Sequence, residues 1–335
     1  MSYFQLVLTL VLSSTTGLSW QLYNLDKDTS LRGIAAVDEK VCWVGGSNSV
    51  LAKTIDGGSS WKYFDLVDVP DAEFRDIQAF GPDTAIVMSA GEGDKSKIYK
   101  TTDGGATWRV VLENEYPKGF FNGIAFWNDQ EGILTGDPVE GKLFIMTTKD
   151  GGESWQRVTD LPEIVAGEYG FAASGSHITV LGDHVWVGTG GSVARIFHSA
   201  DRGVFWVVTG SPILQGAASQ GIFSMAFSDT GMGVAVGGDY TDEAIPGDKN
   251  VIYSQDKGNS WTVYKGQKLP FRSAIRFVND VILVSGPSGS EYSLDKGHSW
   301  MKINGQGFHT LDVATHGVVW AAGSGGRIGK MIIDK

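Results

Sequence analysis

Cysteine is almost missing from this chain. Cys42 is the only one in 335 residues, so no intrachain disulfide can form and no thiolate cluster can hold a metal. The six histidines, His177, His184, His198, His298, His309 and His316, show no metal-ligand spacing. Neither a metal nor any other cofactor is expected. Long apolar runs are missing as well. Residues 4–12 form one run of signal-peptide length, well short of the ~20 residues that a helix needs to cross a bilayer. Positive charge is scarce: 27 Lys and Arg against 38 Asp and Glu leave a formal charge of −11. That balance argues against nucleic acid or an anionic membrane surface as partner. The chain has no Asn-x-Ser/Thr acceptor and no sustained helical periodicity, which makes it all-β.

Glycine, by contrast, is plentiful at 46 residues, and much of it sits in a repeated motif. Six copies of Ser/Thr-x-Asp-x-Gly-x-Ser/Thr-Trp are centred on Asp56, Asp103, Asp150, Asp201, Asp256 and Asp295, each aspartate five residues before a tryptophan. Only the fourth departs, with Phe205 where the others carry Ser or Thr. The motif suits a tight hairpin: the carboxylate accepts N–H groups of its own turn, glycine takes the positive-φ position, and tryptophan packs as the next strand starts. These six aspartates are therefore structural and not metal ligands.

The segment before each box repeats too. An aromatic or leucine (Leu31, Phe74, Phe121, Phe271, Phe308) opens an apolar strand, a second run ends in glycine, a third strand enters the box and a fourth leaves it. Four short strands per unit predict propeller blades around a central channel. Residues 308–333 supply only three strands. Ser19-Trp20-Gln21-Leu22-Tyr23 matches the end of a box and the start of its exit strand, as in Ser60-Trp61-Lys62-Tyr63-Phe64. The N-terminal strand at 20–25 is thus expected to pair near 327–333 and close a ring of seven blades. The predicted organisation is a signal peptide over 1–19, with Gly17 and Ser19 suiting cleavage before Trp20, and a single propeller over 20–335. The protein is expected to be secreted or otherwise exported, and monomeric.

The boxes resemble the Asp-box (BNR) repeats of sialidases and other propellers. The whole chain from about Trp20 resembles the seven-bladed photosystem II stability/assembly factor family, Ycf48/HCF136-like, in its branch outside photosynthesis. That resemblance implies the fold, and places the boxes on the face away from the usual binding site; it says little of activity. Sialidases carry a Phe-Arg-Ile-Pro element, and here Arg195-Ile196-Phe197 and Arg327-Ile328-Gly329 lack the proline.

If boxes join strands three and four, the opposite, unboxed face gathers the loops between strands two and three and the entrances of the channel-lining strands. The residue at that entrance reads, around the ring, Arg32, Arg75, Asn122, Ala172, Phe223, Arg272 and His309. Arg272, His309, Arg32, Arg75 and Asn122 are consecutive. The same face receives Asp137, Glu140, Glu168, Arg195, Asp239, Tyr240, Ser288 and Arg327. Guanidinium groups here suit a carboxylate or sulfate. Ligand-binding candidates are therefore Arg32, Arg75, Asn122, Arg195, Arg272, His309 and Arg327. Glu168, Asp137, Asp239, Tyr240 and His309 are the candidates for acid–base chemistry. Two functions fit: an interaction or assembly propeller that binds a protein or peptide through the unboxed face, and a hydrolase or lyase acting on an acidic glycan. The first is favoured by the whole-chain resemblance.

Overall fold

The structure, a computed structural model, describes residues 17–66, 71–303 and 305–333. The apolar run at 4–12 lies outside the described residues. Seven antiparallel sheets form the blades, each built on four strands. The first contains Leu31–Ala36, Cys42–Gly46, Leu51–Thr54 and Lys62–Tyr63. The fifth is extended by two short strands, Glu168–Tyr169 and Gly190–Gly191. The last combines Thr310–Val313, Val318–Ala322 and Arg327–Ile332 with the N-terminal strand Gln21–Asn24. Gln21 lies opposite Lys330 and Asn24 opposite Arg327, so strands from the two ends of the chain close the ring. No helix among the described residues is long and apolar enough to cross a membrane.

Both faces of each inner strand are covered by neighbouring blades, so the core lies between sheets. Trp320 of the last blade packs with Leu31, Ile34 and Val44 of the first, and Trp43 of the first with Phe74 and Ile77 of the second. Polar side chains staple the inner strands. Asp76 Oδ2 accepts the Ile124 N–H at 2.8 Å, Asp312 Oδ2 accepts the Ala36 N–H at 2.8 Å, and Ser224 Oγ accepts the Ile275 N–H at 2.9 Å. Each tie joins one blade to the next.

The boxes form as their chemistry dictates. In the third, Thr148 Oγ1 donates to Asp150 Oδ1 (2.8 Å) and accepts the Gly152 N–H (2.9 Å); Asp150 accepts the Ser154 N–H (2.9 Å) and hydroxyl (2.6 Å). Gly152 sits at φ +80°, where a side chain is strained. Those bonds, led by the Ser154 hydroxyl, hold Asp150 at about 2. In the fourth box Phe205 supplies only its N–H to Asp201, at 2.8 Å, and its ring is 69% exposed.

The fourth blade departs from the repeat. The repeat pattern puts its inner strand at Ala172, but that strand is Ile178–Leu181. The residues before it leave the blade and fill the channel, which is therefore not open. This plug, residues 171–177, is hydrogen-bonded to all six other blades. Ala173 and Ala172 carbonyls accept from Arg32 (3.4 Å) and Arg75 (3.2 Å) of the first and second. His177 Nε2 meets Thr135 Oγ1 of the third at 2.9 Å, and Ser176 meets Ser224 of the fifth at 2.7 Å. Ser174 Oγ donates to the Ser273 carbonyl at the sixth (2.7 Å), and Thr310 of the seventh donates to the Ser174 carbonyl (3.3 Å). Small residues make this possible: a Cβ on Gly175, at φ +69°, would lie 2.4 Å from the Asp76 carboxylate. The plug divides the channel into two cups. One, on the unboxed face, holds ≈ 370 Å³ and the other, on the boxed face, ≈ 290 Å³.

Candidate functional site

The unboxed cup has two unlike walls and the plug as its floor. Arg32 and Arg75 form one wall, each steadied by a plug carbonyl. Arg75 also meets Glu73 at 3.4 Å, both side chains being partly exposed. Arg32 has no ion pair among the described residues; burial, and then the adjoining Arg75 charge, push its pKa down. Two guanidinium groups this close favour an anion between or above them. Asn122 donates to Asp137 at 3.0 Å, and burial raises the Asp137 carboxyl despite that bond. His309 is 8% exposed and bonded to Ser324 Oγ at 2.7 Å. Burial, with Arg32 and Arg327 nearby, pushes it down to about 3, so it is neutral.

The opposite wall is aromatic: the sequence pattern sets Phe223 and Tyr240 on this face and Phe271 at a strand opening, but does not join them with Phe171 into one wall. Phe171 of the plug stacks on Phe223 of the fifth blade at 3.9 Å, and Phe271 meets Phe223 edge-on at 4.7 Å. Tyr169 and Tyr240 complete the wall, Tyr240 edge-on to both stacked rings at 6.4 and 6.1 Å and 46% exposed. Three successive units each place a phenylalanine at or beside the strand entrance, and that run was the available signal. Glu243, on the loop between Asp239 and Asn250, also lines the cup, and its charge acts on Arg32.

Several candidates lie elsewhere, tied to structural partners. Arg272 is 1% exposed; its Nε and Nη2 hold Glu291 at 2.7 and 2.6 Å, and its Nη1 reaches the Phe271 carbonyl and Ser288 Oγ. It offers nothing to a ligand, so the expected arc of arginines shrinks to Arg32 and Arg75. Arg195 grips Glu168 through Nε (3.1 and 3.0 Å) and Nη2 (2.6 Å), and Glu168 also accepts from Thr189 and the Val165 N–H. Glu168 is buried and fully engaged by these donors, which removes it from acid–base chemistry. Arg327 donates to Gln306 and the Gly307 carbonyl and lies over the Phe308 ring. Burial opposes ionisation of Asp239, but hydrogen bonds from Thr241, Gln220 and Ser219 outweigh it and hold the group at about 2.

Fold and site together define an Asp-box propeller with a plugged channel and one mixed cationic and aromatic cup. The model of the family described as photosynthesis system II assembly factor YCF48 matches residues 12–117, a stretch that includes the closing strand and the first two blades. Among solved structures, YCF48 bound to D1 peptide superposes with a TM-score of 0.68 at 16% identity, covering 95% of this chain and 100% of that one. YCF48 from Cyanidioschyzon merolae gives 0.65 at 14% identity, over 94% and 99%. The WD40 propeller domain of Doa1 gives 0.60 at 10% identity, over 95% and 98%. These likenesses establish the fold. No curated protein sequence matches. The chain is a seven-bladed Asp-box propeller that resembles the YCF48 family.

Proposed function

We propose that this protein is an exported interaction propeller that binds a carboxylate-bearing segment of a protein partner in the unboxed cup. The observation that carries this reading is the Arg32–Arg75 pair: two adjoining guanidinium groups at an open mouth, one of them with no ion pair among the described residues. The YCF48 structure with a bound peptide supports a peptide-binding role for a propeller of this shape. Export rests on the apolar run at 4–12 and the small residues before Trp20. N-terminal sequencing of the mature chain tests it, and an intracellular protein still starting at Met1 overturns it.

For binding, Arg32→Ala should weaken a carboxylate-bearing peptide by ~10–100-fold, the loss of one charged hydrogen-bonding group, and added salt should weaken the unaltered protein's binding. Isothermal titration checks both. Affinity untouched by Arg32→Ala and Arg75→Ala overturns the reading. The acidic-glycan reading keeps one support, Asp137, whose raised carboxyl lies in the same cup. Turnover of uronate oligosaccharides that is lost in Asp137→Asn would favour it.

A further inference from the structure

The aromatic wall calls for its own explanation. Every other apolar cluster packs between adjacent blades, whereas Phe171, Ala173, Phe223 and Phe271 form a separate group at the channel mouth. Their edge and stacking contacts hold the rings in place, so the apolar wall exists before any ligand arrives. The plug floors the cup, so a chain cannot thread through it. A volume of ≈ 370 Å³ has room for one or two side chains.

Charge completes the description of the occupant. The arginine wall demands an anion, and the aromatic wall faces it across the same small cup. A ligand that satisfies both must carry its carboxylate and an apolar group as near neighbours. We propose that the Phe171–Phe223–Phe271–Tyr240 wall is a specificity pocket for an aromatic or branched aliphatic side chain next to the carboxylate held by Arg32 and Arg75. This rests on the peptide-binding reading above and adds what selects the peptide. A chain terminus and an Asp or Glu side chain share the required carboxylate chemistry. A serine in the apolar position should bind more weakly, because it leaves the aromatic faces of the wall unfilled.

The test uses the full chain and labelled hexapeptides read by fluorescence anisotropy. One set ends in a free carboxylate preceded by Phe, Leu, Ser or Lys. A second set is C-terminally amidated, with an internal Glu beside the same four residues. Within whichever set binds, Phe and Leu peptides should bind about tenfold or more tightly than Ser peptides. Binding of the first set alone identifies a chain terminus, and equal binding of the second a side-chain carboxylate; both agree with the proposal. Tyr240→Ser, at an exposed position, should cut the preference to less than about threefold, as should Phe223→Leu. Arg32→Ala should weaken all binding peptides alike. Ser peptides within about twofold of Phe and Leu, or a preference that survives Tyr240→Ser, overturn the specificity pocket while leaving peptide binding standing. Failure of every peptide to bind overturns both.

Discussion

The two rims of this propeller carry opposite kinds of polar chemistry. On the boxed rim each aspartate is satisfied within five residues of itself, by hydroxyls and N–H groups of its own turn. On the unboxed rim satisfaction is not a repeated local pattern: Arg32 reaches Ala173, 141 residues away, through a single 3.4 Å bond. Local satisfaction repeated around the ring serves architecture, because each hairpin needs it and no ligand can compete for it. Under-satisfied groups gathered once are what a ligand can complete. The contrast within the arginines is equally sharp. Arg272 and Arg195 have closed onto glutamates, while Arg32 has no ion pair among the described residues.

The plug separates the rims, so breaking it should produce the largest effect. Gly175→Ala forces a Cβ against the Asp76 carboxylate from a positive-φ residue. A stability loss of about 2–4 kcal/mol is expected, read as a lowered midpoint of chemical unfolding, with binding in the unboxed cup lost as its floor shifts. A native midpoint would mean that the plug is not held as described.

The plug should also set acid sensitivity. His177 is wholly buried and burial lowers it to about 4, against about 6.5 in the unfolded chain. Between those values the unfolded chain binds the proton and the folded chain does not, so this residue's contribution is present above pH 6.5 and lost as pH falls toward 4. The shift corresponds to about 3 kcal/mol. Asp76, raised to about 7 by burial, acts in the opposite direction, favouring the fold at low pH and losing that effect as pH rises from about 4 to 7. Unfolding curves of His177→Gln against the unaltered protein at several pH values should isolate the histidine. The variant should lose less stability than the parent on acidification from about pH 6.5 to about 4.5; parallel curves would contradict this.

Legibility in the sequence follows the same division. The boxes, the seven blades and the closing strand were readable because each rests on local chemistry repeated at a fixed interval. Trp20 to Leu25 could be placed in the last blade because it copies the exit strand that starts at Trp61. The plug was not readable: Phe171-Ala172-Ala173-Ser174-Gly175-Ser176-His177 forms no strand or helix, and most of its partners come from six other blades. With the plug unseen, Phe171 could not be set against Phe223, nor the channel recognised as closed. The fates of Arg272 and Arg195 were hidden for the same reason, since Glu291 and Glu168 lie 19 and 27 residues away.

If box chemistry is purely architectural, damage to one box should cost stability and nothing else. Thr148 is buried, and its hydroxyl serves both Asp150 and the Gly152 N–H. Thr148→Ala should lower stability by about 1–2 kcal/mol, leaving a buried N–H unpaired, while peptide affinity in the cup stays within error of the parent. A stable variant with lost binding would put the functional face on the boxed rim.

The smallest effect expected sharpens the comparison from within the boxed rim. Five boxes carry a hydroxyl on the second aspartate oxygen, at 2.6 Å in the first, second, third and fifth and 2.7 Å in the last. The fourth gives up that bond for the exposed Phe205, beside Val204, which is 76% exposed. Phe205→Ser should restore the hydroxyl bond and remove an exposed ring. Because Asp201 is open to solvent, where water competes for the same bond, the gain should be no more than about 0.5 kcal/mol. It should appear as a slightly higher unfolding midpoint, with unchanged affinity in the unboxed cup. A loss of stability instead would show that the Phe205 ring packs against its own blade strongly enough to outweigh the missing bond. The fourth box would then be a second solution to the same turn, not a weakened copy of the other five.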